Sequence, residues 1–378
     1  MNCSRARTAG STPGRPQRVP RTRRGSDRER SKVIPAKRNT DNVGRIPVED
    51  HAFEVALSRG RAADVDLDSA LTLFYGANRQ DRARRLFQAA AQARDTALGR
   101  RLTLSAHLHM ITRCALSPSC KYCSLSSSIP SVSDERSPLT LREVIAGARF
   151  AEKKGARSLV LVGGTDPDGS DERLRKIVAR VRAVTDLDLV VDVGPSLSDR
   201  TVRWLGRQSV SPIYCSMETI DEKVFAVAKP GDDLGARRRF MEMVERSGGH
   251  LGNVVMNGLG TPESLVRTLL ESRRFPHTTH LHISTFHPVR GTPWARRRPA
   301  SLRSSLKALA IARLAFPTLQ LGLAEVGVEN PRDFASVASQ LAAGGGNTLA
   351  GVLVYKNLRI DHMERIRDQA TSLGFEAS

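Results

Sequence analysis

The chain has 378 residues, 40% of them hydrophobic and 26% charged, and a formal net charge of +20. That length accommodates one large α/β barrel with extensions or two ordinary domains, and no apolar run approaches the ~18 residues that a membrane-spanning helix requires. Half of the excess charge lies within the first 45 residues, where thirteen Lys or Arg stand against Asp27, Glu29 and Asp41. The charge is therefore concentrated in one tail, which weakens the case for a nucleic-acid surface on the rest of the chain.

Residues 1–48 mix Arg with Pro, Ser and Gly, a composition that buries too little apolar surface to offset ordering entropy, and they read as a disordered basic tail. No apolar h-region follows Met1, which argues against a secretory signal. A transit peptide, a nucleic-acid arm or a start codon assigned too far upstream are the other readings of that tail. Residues 49–101 read as a helical lead-in. Leu57, Ala63, Leu67, Leu71, Leu73 and Phe74 supply apolar positions, followed by an Arg- and Ala-rich amphipathic run over Arg79–Leu98 whose basic face is expected to be solvated.

From residue 102 to 378 short β-rich runs alternate with amphipathic helical patterns, which predicts βα units around a parallel sheet. The expected strands are Leu104–Thr112, Ser158–Val162, Leu187–Val193, Pro212–Met217, Leu251–Met256, His280–Phe286, Leu319–Ala324 and Thr348–Tyr355. Helix starts accompany them: Thr140 with Glu143 forms a capping-box pattern, and Thr261-Pro262 and Asn330-Pro331 each place a capping side chain before a first-turn proline. Eight such pairs predict a (β/α)8 TIM-type barrel, with six pairs plus a mixed C-terminal region as the alternative. In either case chemistry belongs on the loops after the strands.

Five cysteines are an odd number and badly scattered for a disulfide framework: Cys3 and Cys215 stand apart, and three crowd into Cys114-Ala-Leu-Ser-Pro-Ser-Cys120-Lys-Tyr122-Cys123. A reducing, cytoplasmic setting follows. Three thiolates in ten residues, directly after the first strand, suit a 4Fe-4S cluster with one iron left open. A structural zinc site is the bland alternative, with His107 or His109 as fourth ligand. Cys215 reads as a small buried hydrophobe.

The cysteine loop resembles that of the radical S-adenosylmethionine (SAM) superfamily, in its branch containing biotin synthase, methylornithine synthase and hydrogenase-cofactor maturases. The likeness covers roughly residues 68–375, and the stretch from about 300 to 378 resembles the C-terminal region of the biotin synthase type. The usual spacing is Cys-x3-Cys-x2-Cys, whereas this chain has Cys-x5-Cys-x2-Cys. The longer spacing resembles that of the maturase for the iron-guanylylpyridinol cofactor of iron-only hydrogenase.

The resemblance implies a set of site residues. Cys114, Cys120 and Cys123 would ligate the cluster, and Tyr122 would lie against the SAM adenine. Gly163-Gly164-Thr165 resembles the Gly-Gly-Glu-type motif whose backbone receives the SAM amino group, with Thr165 in place of the acid. Ser216-Met217-Glu218-Thr219 resembles Asn-Leu-Glu-Thr, giving Glu218 to the methionyl ammonium. Arg237 would face the SAM carboxylate, with Arg238 and Arg239 competing for the role. Gly252-Asn-Val-Val-Met-Asn257-Gly258-Leu259-Gly260 resembles the Gly-x-Ile-x-Gly motif under the adenine, with Gly258 and Gly260 as the turn and Val255 and Met256 as adenine contacts. Barrel geometry adds Asp192, His287, Arg290, Glu325 and Lys356 as lining of the substrate volume.

The implied cofactors are a 4Fe-4S cluster and SAM. The implied activity is reductive cleavage of SAM to a 5′-deoxyadenosyl radical that abstracts hydrogen from a small-molecule substrate, in cofactor biosynthesis or maturation or in a biotin synthase-like or methylornithine synthase-like rearrangement. A flavodoxin or ferredoxin would supply the electron. No membrane is expected, and a nucleic-acid partner is disfavoured because no binding motif or aromatic interleaving accompanies the basic tail. A zinc-stabilised barrel protein and a basic nucleic-acid-binding protein are the rival classes.

Overall fold

The computed structural model describes residues 48–126, 137–166, 170–324 and 336–378. The basic tail up to residue 47, Glu325 and the Asn330-Pro331 helix start lie outside them.

The lead-in is three helices, α1 (Asp50–Arg61), α2 (Leu67–Gly76) and α3 (Gln80–Leu98). Ala63 adopts a left-handed φ of 58° and ends the first, and Asp66 caps the second by accepting from the Ser69 amide at 2.8 Å. Their apolar stripes hold Phe53, Leu57, Leu73 and Leu86, which pack with Leu281, Ile283, Leu321 and Leu323 of the sheet and with the helix Leu302–Ala315. The lead-in is thus a layer of the barrel wall. Among the described residues no helix is long and apolar enough to cross a membrane.

Eight parallel strands follow: β1 (Arg101–Leu108), β2 (Ser158–Val162), β3 (Asp188–Asp192), β4 (Val210–Tyr214), β5 (Leu251–Asn257), β6 (Thr278–Thr285), β7 (Gln320–Ala324) and β8 (Thr348–Val354). The hydrogen-bonded order is β7-β6-β5-β4-β3-β2-β1-β8. A short β9 (Arg359–Asp361) runs antiparallel to β8, and β10 (Glu376–Ala377) pairs with the start of β1. The sheet curls into a partial barrel, because no ladder joins β7 to β8 among the described residues. Asn347 bridges that seam: its backbone amide donates to the Leu321 carbonyl at 2.8 Å and its side-chain oxygen accepts from the Leu321 amide at 2.8 Å. The eight expected strands are present in the expected order, but a closed (β/α)8 ladder is not.

Alternation sorts each strand into two faces. Leu102, Leu104, Ala106 and Leu108 of β1 join Leu159, Leu161, Leu189 and Val191 in the core beneath the helices, together with Val144, Ala148, Leu174 and Ile177. The intervening residues, including Ser105 and His107, therefore face the lumen. The capping box at Thr140 and Glu143 forms as expected, and Thr261 caps its helix with Pro262 in the first turn. β1 stops at Leu108 rather than Thr112, because Met110 takes a left-handed φ of 61° and turns the chain into the cysteine loop.

Candidate active site

Cys114, Cys120 and Cys123 lie on the loop that leaves β1 at the C-terminal edge of the sheet, and none is in a disulfide. The loop is tied down on two sides. The Ala115 amide donates to the Thr165 carbonyl at 2.8 Å, and the Lys121 amide donates to the Ala228 carbonyl at 2.9 Å. Gly164 is needed for this placement, since a Cβ there would come within 2.4 Å of the Cys114 backbone. A Cβ on Gly163 would come within 2.1 Å of the Thr112 hydroxyl. The Gly163-Gly164-Thr165 turn therefore seats the cysteine loop directly, and Thr112 Oγ1 donates to the Gly164 carbonyl at 3.0 Å.

Burial pushes the Cys120 thiol up to about 12 and raises Cys123 further, with mutual repulsion among the cysteines adding to both. Bare thiols here stay protonated, so only a strongly cationic centre would ionise them. This donor set fits an iron–sulfur cluster. Among the described residues no three His, Cys, Asp or Glu side chains close around a single ion, as the zinc reading requires. A cubane places each thiolate on a different iron and does not need the sulfurs to meet at a point. His109, the candidate fourth ligand, stacks on Tyr355 with centroids 4.5 Å apart and planes within 8°.

Tyr122 is buried in an aromatic cluster, edge-on to Phe286 with centroids 6.5 Å apart and tilted against Trp294 at 5.8 Å. Cys120, Ala228, Met256 and Leu259 complete that cluster. Of the two residues expected under the adenine, Met256 faces it, whereas Val255 points the other way into the core beneath the helices. Gly258, at a φ of 103°, makes the turn after β5, and a Cβ there would meet Phe286 and Ala300 within 2.8 Å.

Glu218 is the most constrained residue of the site. Its φ of 63° is left-handed, a conformation costing about 1–3 kcal/mol for a non-glycine residue. Its amide donates to the Val254 carbonyl at 2.8 Å, and its carbonyl accepts from the Met256 amide at 2.9 Å. The Tyr122 hydroxyl donates to its carboxylate. Burial, with Glu218 adding to it, raises Tyr122 well above the ordinary phenol value and keeps it a donor.

Sequence reasoning missed the other partner of Glu218. Lys229 Nζ lies 3.0 Å from Glu218 Oε2 and 3.1 Å from Asp232 Oδ2, and its side chain is only 3% exposed. Burial and Arg237 oppose the lysine charge, but the two carboxylates outweigh them and its net shift is upward. Arg237 in turn donates to Asp232 at 2.6 Å and to the Ser216 carbonyl at 2.6 Å. Arg238 instead pairs with Glu271 at 3.5 Å, and Arg239 with Asp233 at 3.2 Å on the exposed side. Of the three arginines, Arg237 alone enters this network. Cys215 is buried behind it, its thiol 3.7 Å from the Arg237 carbonyl.

Asp192 lies at the end of β3 on the lumen side, where burial raises its carboxyl to about 6. Arg290 is exposed, and His287 and Lys356 are half-buried on the loops after β6 and β8.

The Radical SAM superfamily model matches residues 108–275, which span the cysteine loop through β5 and its following helix. An uncharacterised protein of Methanocaldococcus jannaschii is 27% identical over 260 residues, covering 68% of each chain. The 3-methylornithine synthase of Methanosarcina acetivorans is 23% identical over 270 residues, covering 71% of this chain and 74% of the relative. Crystalline methylornithine synthase superposes with a TM-score of 0.73 at 19% identity, over 85% of this chain and 97% of that one. The FeFe-hydrogenase maturase HydG of Carboxydothermus hydrogenoformans gives 0.73 at 17% identity, over 87% and 79%.

Residues 108–275 thus carry a Radical SAM superfamily domain, and that domain together with the enzyme homologues supports a radical SAM enzyme. Within that superfamily it stands among homologues of methylornithine synthase and biotin synthase, and its cofactors are a 4Fe-4S cluster and SAM.

Proposed function

We propose that this enzyme binds its cluster through Cys114, Cys120 and Cys123 and abstracts hydrogen from a small molecule in the biosynthesis or maturation of a cofactor. The observation that carries the reading is the joining of the cysteine loop to an acid and an aromatic ring: Tyr122, one residue before Cys123, hydrogen-bonds to Glu218 across the barrel mouth. When bound, the cluster and SAM together supply reductive cleavage of the sulfur–C5′ bond, yielding methionine and a 5′-deoxyadenosyl radical. The chain's own residues bind and orient. Tyr122 and Met256 offer an apolar wall for the adenine, and Gly258 keeps the turn beneath it free of a side chain. Glu218 and the Gly163-Gly164-Thr165 backbone would together take the methionyl ammonium, and Arg237 the carboxylate. A small reductant protein of the flavodoxin or ferredoxin type would deliver the electron.

The maturation role is supported by the Cys-x5-Cys-x2-Cys spacing. A second reading, synthesis of an amino acid, is favoured by the 23% identity to 3-methylornithine synthase. The test is anaerobic loading with iron and sulfide, then measurement of 5′-deoxyadenosine on addition of SAM and a strong reductant. Full cluster occupancy with no nucleoside product would overturn the proposal.

A further inference from the structure

The lumen below the mouth carries groups that nothing above uses. The tripeptide His-Leu-His occurs on β1 and just beyond it (His107 to His109) and again on β6 (His280 to His282). In both, the leucine points into the core beneath the helices and the two histidines point into the lumen. Tyr214 joins them from β4. Its ring lies across Gly252, where a Cβ would come within 2.4 Å of it, and reaches His280 at 6.2 Å and His282 at 5.7 Å between centroids. On the facing wall His107 and His109 have centroids 6.0 Å apart, and Tyr355 stacks on His109.

Three features mark this space as built for a ligand. His109 Nε2, His282 Nε2 and Ser284 Oγ are buried without a hydrogen-bond partner, and burying such groups unsatisfied costs about 1–3 kcal/mol each. All four imidazoles are held neutral by burial, His109 and His282 at about 4 and His280 at about 3. Among the described residues Asp192, at the end nearest the mouth, is the carboxylate that the strands place inside the lumen; Arg101 and Asp188 share the inward faces of β1 and β3 by alternation but are exposed at the opposite rim.

We propose that the space between His107 and His109 on one wall and Tyr214, His280 and His282 on the other binds a small, uncharged, polar ring compound as substrate and rejects free amino acids. The inference rests on the radical SAM reading of the mouth and deepens it by naming the substrate class. A flat ring finds imidazole and phenol faces on both walls, and its hydroxyl or ring nitrogen finds the orphaned Nε2 atoms. A zwitterionic amino acid would find Asp192 for its ammonium but, among the described residues inside the lumen, no fixed cation on these strands for its carboxylate, a cost that a few neutral hydrogen bonds do not offset.

The test uses the anaerobically reconstituted, SAM-loaded full chain and ligand-detected NMR titration with four probes: phenol, imidazole, benzoate and L-tyrosine. Phenol and imidazole are expected to bind at least about tenfold tighter than L-tyrosine, which shares the phenol ring and adds only the charged head group. His282→Phe, which keeps a flat ring and removes the nitrogens, is expected to weaken phenol about tenfold while leaving SAM affinity unchanged. Equal or tighter binding of L-tyrosine or benzoate overturns the proposal, as does phenol binding indifferent to His282→Phe. The wild-type comparison of probes stands even if that variant fails to fold. Because binding is read without turnover, a protein that selects phenol but never cleaves SAM refutes the proposed function alone, and one that cleaves SAM but prefers L-tyrosine refutes this inference alone.

Discussion

The mouth of the barrel and its lumen lie a few residues apart along the same strands, yet they solve opposite electrostatic problems. At the mouth Glu218, Lys229, Asp232 and Arg237 form a buried chain of alternating charge, a setting matched to a nucleotide that carries a sulfonium, an ammonium and a carboxylate. In the lumen burial keeps four histidines and Tyr214 neutral, and Asp192 near the mouth is the ionisable group beside them, so most of the polarity is supplied without charge. On the reading proposed above, the cofactor would be held by charge and the substrate by shape and hydrogen bonds.

The strongest challenge to that division strikes the cysteine loop. Serine at Cys114, Cys120 or Cys123 should lower bound iron and 5′-deoxyadenosine formation at least about a hundredfold, measured after anaerobic reconstitution. If any one cysteine proves dispensable, the mouth is not the cluster site. Next comes Lys229→Met, which strands Glu218 and Asp232 without their shared cation. Breaking a buried ion network of this kind costs about 3–5 kcal/mol, visible in the denaturant midpoint, and Lys229→Arg should recover most of it.

Gly164→Ala sharpens the comparison by moving the loop alone. The added methyl meets the Cys114 backbone at 2.4 Å, and overpacking of this kind costs roughly 1–3 kcal/mol. Iron content should fall, while phenol binding in the lumen should hold. The smallest expected effect belongs to Asp192. Its folded carboxyl titrates near 6 because burial disfavours the charge, against an ordinary value of 3.8. Between those values the folded chain keeps a proton that the unfolded chain has released, so stability declines as pH rises through the window. Asp192→Asn should therefore stabilise the protein at pH 8 by on the order of 1 kcal/mol and have little effect at pH 3. An unchanged pH dependence of the unfolding midpoint would contradict the assignment.

Much of the frame was legible because alternation and punctuation are local signals. Ser158–Val162 was placed to the residue, and the other strand ends fell within about four. The cysteines were legible because three thiols at short spacing have few other uses. Lys229 and Asp232 were not, since Lys-Pro-Gly-Asp-Asp reads as an exposed turn and only the folded chain shows it packed beneath Glu218. The left-handed backbone at Glu218 was equally hidden, because no glycine or asparagine announces it. The lumen histidines left a trace that could have been followed: the same His-Leu-His tripeptide on two strands, with a leucine that belongs under a helix. Period two sets both histidines on one face but does not say which face is hollow.

Gly252 and Tyr214 constrain each other in this barrel. The ring at 214 occupies the place that a side chain at 252 would take, so a substitution at either position changes what the other can hold. A methyl group at 252 would force the Tyr214 ring to move or give way, and with it the reach of that wall toward β6.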